Sequence, residues 1–142
     1  MGIVNTEIKQ KTIKKAVSLV GVGLHTGKNV TLTFKPALAN TGLAFKRVDL
    51  EGMPVIEADA CYVTNTQRGT CLEKNGVTIQ TSEHVLAALV GMDVDNVILE
   101  LNASEPPIMD GSSKFFVKAI EDAGIVELDA FREEYIVTDV IS

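Results

Sequence analysis

Glu83 and His84 are the adjacent pair in this sequence whose side chains are best suited to chemistry. A carboxylate beside an imidazole can serve as general base and metal ligand. The pair falls at the opening of Thr81-Ser82-Glu83-His84-Val85-Leu86-Ala87-Ala88-Leu89, which reads as a helix. The Thr81 hydroxyl can take an orphan N–H of the first turn, and a charge at Glu83 suits the helix dipole. Val85, Leu86, Leu89 and Val90 recur at helical spacing as one buried stripe, and Gly91 supplies a stop. A dipole-complementing glutamate and a half-exposed histidine would explain the same two residues without any function. So short a motif carries little alone.

A second stretch, Gly21-Val22-Gly23-Leu24-His25-Thr26-Gly27, invites comparison with phosphate-binding loops. The dinucleotide fingerprint needs Gly-x-Gly-x-x-Gly between a strand and a helix. Here the third glycine is one residue late and a strand follows. The P-loop needs four residues between its glycines, then Lys and Ser or Thr; Gly23 and Gly27 enclose three, and Asn29 follows Lys28. Both readings fail, leaving a tight strand-to-strand turn that presents His25. A third stretch, Pro107-Ile108-Met109-Asp110-Gly111-Ser112, is a rigid loop before a second helix, in which Asp110 suits a capping role.

These stretches need a scaffold. Residues 8–20 read as a strand; Val30, Leu32 and Phe34 alternate with polar residues as a half-buried one. Pro36 ends it, and Asn40-Thr41-Gly42 turns the chain into a strand over residues 43–48. Residues 55–63 and 69–72 are shorter strands, with Asn75-Gly76 a hairpin turn before Val77-Thr78-Ile79. Asn96-Val97-Ile98-Leu99-Glu100-Leu101 is apolar enough to be a central strand. A second helix spans residues 112–123, buries Phe116, Val117, Ile120 and Ala123, and ends at Gly124. This order predicts an α+β fold, a two-layer sandwich with a mixed β-sheet and two helices packed on one face.

Composition sets the class. The 142 residues suit one domain with a sizeable core. A hydrophobic content of 46% with 23% charged residues excludes a disordered chain. No apolar run reaches the length of an integral membrane segment, and no secretory signal precedes the fold. Residues 1–8 read as a leader or an expression remnant, although Met1-Gly2-Ile3-Val4-Asn5-Thr6 also fits a loose myristoylation pattern. The net charge of −6 argues against a nucleic-acid partner. Its distribution is uneven: +6 over residues 1–50 and −12 over residues 51–142. Lys9, Lys11, Lys14 and Lys15 read as protection of a strand edge. Cys61 and Cys71 read as reduced, partly buried thiols, too few for a zinc site of their own.

Taken together, the three stretches identify a family. In order and approximate spacing they resemble the N-terminal half of UDP-3-O-acyl-N-acetylglucosamine deacetylases, the zinc amidases of bacterial lipid A synthesis. Asn40-Thr41-Gly42 and Asp95-Asn96 fit the same pattern, and the resemblance covers about residues 9–126. It implies two similar α+β domains facing one another, with the site between them. It makes His84 a zinc ligand and Glu83 the carboxylate that activates the attacking water. It places His25 on a loop near the site, with Leu24 and Thr26 flanking the substrate and Gly69 and Thr70 bordering it. Gln67-Arg68-Gly69 is more polar and smaller than the apolar residues of some members, at the acyl entrance. Localisation follows as cytoplasmic, with peripheral contact at the inner membrane.

By the same resemblance, the remaining Zn2+ ligands come from a His-x-x-x-Asp motif in a second domain, with a further histidine as general acid. His25 and His84 are the only histidines here, so that motif is absent. Most basic groups for the diphosphate belong with the missing part too. The expected partners are therefore the acylated UDP-sugar and the chain's own C-terminal domain. Residues 1–126 would form the N-terminal deacetylase domain. Residues 127–142, a polar linker and the strand beginning at Tyr135, would open the truncated second domain. Two alternatives stand beside this: a non-catalytic interaction or regulatory fragment that keeps the fold, and a self-contained metal site using His25, His84 and a carboxylate.

Overall fold

The computed structural model describes residues 2–66 and 69–136. The chain runs through strands β1 (Gly2–Ile13), β2 (Val17–Val22), β3 (Asn29–Pro36), β4 (Leu43–Arg47) and β5 (Val55–Glu57). A 3-10 turn at Ala60–Tyr62 leads to β6 (Val63–Thr66), β7 (Gly69–Lys74) and β8 (Val77–Ile79). Helix α1 (Glu83–Gly91), strand β9 (Val97–Leu101), helix α2 (Lys114–Ala123) and strand β10 (Ile125–Ile136) complete it.

Alternation decides which way the main sheet faces. Val30, Leu32 and Phe34 of β3 are shielded from solvent, as are Val97, Leu99 and Leu101 of β9. Phe34 pairs with Leu99 and Leu32 with Leu101, so these side chains share one face. The five strands lie in the order β2-β3-β9-β4-β5, with β4 parallel to β9 and the other neighbours antiparallel. Val85, Ala88 and Leu89 of α1 and Phe116, Ala119, Ile120 and Ala123 of α2 join the same core. The Phe34 and Phe116 rings meet at 6.5 Å between centroids. Each fully buried Leu or Phe there stabilises the fold by about 1.5–3 kcal/mol, more than an exposed ion pair contributes. The predicted α+β class, mixed sheet and central β9 are thus all present.

Two further sheets depart from the single-sheet expectation. Strands β6, β7 and β8 form their own antiparallel sheet, which sends Leu72 and Ile79 into the common core. The Asn75-Gly76 hairpin joins β7 to β8, with both residues at positive φ as a tight reversed turn requires. Strands β1 and β10 pair as an antiparallel ribbon. Residues 2–8, read as a leader, are strand in this ribbon, and so are residues 129–134, read as a linker. The polarity of residues 129–134 suits a ribbon strand as well as it suits a linker. The strand expected over residues 8–20 breaks at a bend between β1 and β2, and that over residues 55–63 is interrupted by the 3-10 turn. Cys61 is exposed and only Cys71 is buried.

Polar side chains fasten the ribbon to the sheet. Asn96, 1% exposed, accepts the Gly42 N–H on Oδ1 (2.9 Å) and donates from Nδ2 to Gln10 Oε1 (3.0 Å). Gln10 Nε2 donates to Asn40 Oδ1 (2.8 Å) and to the Phe131 carbonyl (3.0 Å). Arg132 reaches Asp93 (2.7 Å) and Asp95 (2.9 Å), and Lys11 Nζ reaches Asp93 (2.9 Å). Lys11 and Arg132 hold the Asp93 carboxyl below its ordinary range, so this tie weakens as pH falls through that lowered value. Replacing Asn96 by Ala takes the acceptor from the Gly42 N–H and one of two donors from Gln10 Oε1, which keeps the Asn40 N–H at 2.8 Å. We expect Asn96→Ala to cost about 1–3 kcal/mol in chemical denaturation. A loss below about 0.5 kcal/mol, the range of an ordinary surface change, would contradict the network's role.

Candidate functional site

The start of α1 is built differently from the expectation. Thr81 lies at φ 53°; Ser82 takes the N-cap position, and its side chain makes no cap hydrogen bond. Instead, the Ser82 N–H and Oγ both donate to the Thr70 carbonyl at 3.0 Å. The Glu83 carboxylate in turn accepts the Thr70 N–H on Oε2 at 3.2 Å. Both backbone groups of Thr70 are therefore held by the residues that open α1, and the Glu83 side chain is tethered to β7. Gly69 opens that strand opposite Thr66; Gln67 and Arg68 lie outside the described residues. The far end of α1 also differs. Val90 is 69% exposed, Ala88 takes its place in the buried stripe, and Asp93, rather than Gly91, adopts the positive φ beyond the helix.

His84 is half-buried, and its carbonyl accepts from Ser113 Oγ at 3.1 Å. Ser113 is the N-cap of α2, so the catalytic candidates on α1 are braced by the loop that enters the second helix. Asp110 in that loop accepts the Ser112 hydroxyl (2.7 Å) and N–H (3.0 Å), bonds that hold its carboxyl below the ordinary range. Ser112 Oγ accepts the Lys114 N–H at 3.2 Å. Asp110 therefore orients Ser112, whose hydroxyl meets the Lys114 N–H.

The same loop braces the glycine turn. Gly23 bridges Pro107 in antiparallel fashion, and the Ile108 N–H donates to the Val22 carbonyl at 2.8 Å. A Cβ on Gly21 would lie 2.8 Å from the Pro107 Cβ, and one on Gly23 would lie 2.5 Å from Thr26 Oγ1. These two glycines are thus present for close backbone approach rather than for a phosphate. Gly27, at φ 68°, closes the turn by donating to the Gly23 carbonyl. Leu24, His25 and Thr26 stand exposed on it. Residues 105–113 consequently touch both the His25 turn and the His84 helix, which is how three separated stretches become one surface. Sequence reasoning passed over Glu105, which is wholly buried and accepts the N–H groups of His25 (2.9 Å) and Thr26 (3.2 Å). The signal available was a lone acid placed directly before Pro106-Pro107.

A cleft of about 550 Å³ lies elsewhere, lined by Gln10, Asn40, Thr41, Gly42, Asp95, Asn96 and Arg132. It includes none of Glu83, His84 or His25. The amides of Gln10 and Asn96 are spent on the ribbon network, so the cleft offers scaffolding rather than chemistry.

As metal donors, Glu83 and His84 are the pair at the α1 opening. Among the described residues no three His, Cys, Asp or Glu side chains cluster as a ligand set. A catalytic zinc takes three protein ligands. These donors therefore fit one corner of such a site and not a complete one.

A family profile described as UDP-3-O-acyl N-acetylglycosamine deacetylase matches residues 10–142. A protein of Bacteroides thetaiotaomicron named "Bifunctional enzyme LpxC/FabZ" is 48% identical over 134 residues, covering 94% of this chain and 29% of its own length. A "UDP-3-O-acyl-N-acetylglucosamine deacetylase" of Idiomarina loihiensis is 50% identical over 127 residues, covering 89% of this chain and 42% of its own. The chain thus spans less than half the length of either relative.

The junction ahead of Glu83 stores a cost. Thr81 is β-branched at positive φ, and the buried Gln80 Oε1 beside it finds no hydrogen-bond partner among the described residues. Such a backbone costs about 1–3 kcal/mol. We expect Thr81→Gly to raise the denaturation midpoint by the equivalent of about 1 kcal/mol, since glycine adopts this φ freely. A comparable loss of stability would mean that the Thr81 side chain contributes more than its backbone strain.

Proposed function

The chain belongs to the UDP-3-O-acyl N-acetylglycosamine deacetylase family, and from that premise we propose that it is the N-terminal part of a zinc-dependent amidohydrolase. The substrate in this reading is UDP-3-O-acyl-N-acetylglucosamine, and the reaction, a step of lipid A biosynthesis, removes its N-acetyl group. The observation that carries the reading is Glu83, tethered to the Thr70 N–H, beside half-buried His84 at the start of α1. The names of the two relatives support it.

In this reading His84 contributes one zinc ligand, and the rest come from a second domain that begins beyond about residue 126. Zinc, when bound, supplies Lewis-acid polarisation of the acetamide carbonyl and acidifies water. Glu83 takes a proton from the attacking water as its oxygen adds to the carbonyl carbon. Collapse of the tetrahedral species breaks the C–N bond, releasing acetate and an amine that receives its proton from an acid outside this chain. The tether to Thr70 favours catalysis because a carboxylate already held in place loses little freedom when it acts. Leu24, His25, Thr26, Gly69 and Thr70 border the substrate. By itself the chain is inactive, lacking the other ligands, the general acid and most diphosphate contacts.

Joined to the remaining length of a family relative, the chain should support turnover. There Glu83→Ala should keep its zinc while kcat/KM falls by about 10²–10⁴-fold, the usual worth of a general base. His84→Ala should lose zinc and rate together. Zinc per protein, measured beside kcat/KM, separates the two. A near-normal rate for Glu83→Ala, or metal and rate both retained in His84→Ala, would defeat the assignment.

A further inference from the structure

Glu105 is wholly buried, yet among the described residues no cation lies in an ion pair with it. Placing a carboxylate away from water is unfavourable unless strong hydrogen bonds satisfy it. Both oxygens meet that need with backbone donors: Oε1 accepts from His25 N–H at 2.9 Å and Oε2 from Thr26 N–H at 3.2 Å. Two N–H groups on consecutive residues are thereby aimed at one buried anion, an arrangement that a neutral acceptor does not satisfy as well. The turn has been fitted around it. A Cβ on Gly23 would stand 3.0 Å from Glu105 Cδ as well as 2.5 Å from Thr26 Oγ1. The carboxylate arrives from the segment whose next residues bridge Gly23 and donate to the Val22 carbonyl. Leu24 is 54% exposed and His25 and Thr26 are also exposed, so the turn is held by its own bonds, Gly27 N–H to the Gly23 carbonyl (3.0 Å) and Gly23 N–H to the Lys28 carbonyl (2.9 Å), and from beneath by Glu105.

We propose that Glu105 is a positioning residue for the deacetylase site: from beneath, its carboxylate fixes the backbone from which Leu24, His25 and Thr26 project toward substrate. This rests on the deacetylase reading for the role of the turn, though not for the contact itself. Rigidity matters there because an exposed side chain contributes to binding only after its backbone has been ordered, and Glu105 orders it in advance. Glutamine at this position presents one oxygen and one NH2 group, so one of the two backbone donors would face another donor. Aspartate keeps both oxygens but is a methylene shorter.

Amide hydrogen exchange on this 142-residue chain tests the contact directly. In the unaltered protein the His25 and Thr26 amides should be protected despite their exposed residues. In Glu105→Gln their exchange should quicken by about tenfold or more, while amides of β3 and β9 keep their rates. Glu105→Asp should restore part of the protection. If Glu105→Gln does not fold, Gly23→Ala decides, because its added methyl separates turn and carboxylate from the other side and should loosen the same two amides. Unprotected His25 and Thr26 amides in the unaltered chain, or unchanged exchange at both in a folded variant, would overturn the proposal. In the two-part enzyme, Glu105→Gln should lower kcat/KM about as far as His25→Ala does. The double variant should be little worse than either, as for residues acting through one another. A loosened turn with unchanged kcat/KM would overturn the positioning role and leave the deacetylase reading intact. An unaltered assembly without activity would count against that reading and leave the exchange result standing.

Discussion

The backbone crossing of residues 105–109 behind the glycine turn is the constraint on which the rest of the site depends. Pro107 lies against Gly21 and bridges Gly23, while the Ile108 N–H donates to the Val22 carbonyl. Strands β2 and β9 are not neighbours in the sheet; β3 stands between them. The segment leaving β9 must therefore pass over β3 to reach the glycine turn before it can enter α2. In doing so it gives Glu105 to the turn and Ser113 to the His84 carbonyl. One crossing thus relates a turn and a helix that are some sixty residues apart in the chain. A side chain on Gly21 or Gly23 would separate them, which gives both glycines a steric reason unrelated to phosphate binding.

Stability and candidate chemistry are divided between two regions. Below the helices, Phe34, Leu99, Leu101, Phe116 and Ile120 form an apolar core without exposed members. Where the ribbon of β1 and β10 meets the sheet, buried amides replace apolar contacts, and each is satisfied. The opening of α1 carries costs of its own: positive φ at Thr81 and a buried Gln80 side-chain carbonyl that finds no hydrogen-bond partner among the described residues. Strain beside candidate catalytic groups accords with geometry maintained for chemistry.

Much of this was legible in the sequence for identifiable reasons. Strand β9 is a short, nearly continuous apolar run, which only a central position explains. The Asn75-Gly76 pair needed no tertiary context, since positive φ at both residues dictates the hairpin. The helix over α1 was also evident, but its cap was not. Thr81 has the composition of an N-cap, yet Ser82 takes that position, and Ser82 and Glu83 bond the Thr70 backbone of β7. Residues 129–134 are strand, which polarity alone did not announce, because a ribbon strand and a linker share a composition. Glu105 showed only as an acid before Pro106-Pro107, because its two partners are backbone N–H groups, which no residue pattern records. The cleft lined by Asn40, Asp95 and Asn96 shows the converse: motif residues of the family pattern that hold the scaffold together.

The central claim is that His84 supplies a metal ligand, that His25 does not, and that the ligand set is finished outside this chain. Imidazole nitrogen resonances of the two histidines, followed while zinc is added, test it most directly. In the two-part enzyme, one equivalent of zinc should move the His84 signals and leave those of His25 at their places. In this chain by itself the His84 response should be weak and unsaturated at the same metal concentration, since one imidazole and one carboxylate do not make a closed site. Stoichiometric, coupled movement of both histidines in the isolated chain would contradict the account and establish a self-contained metal site.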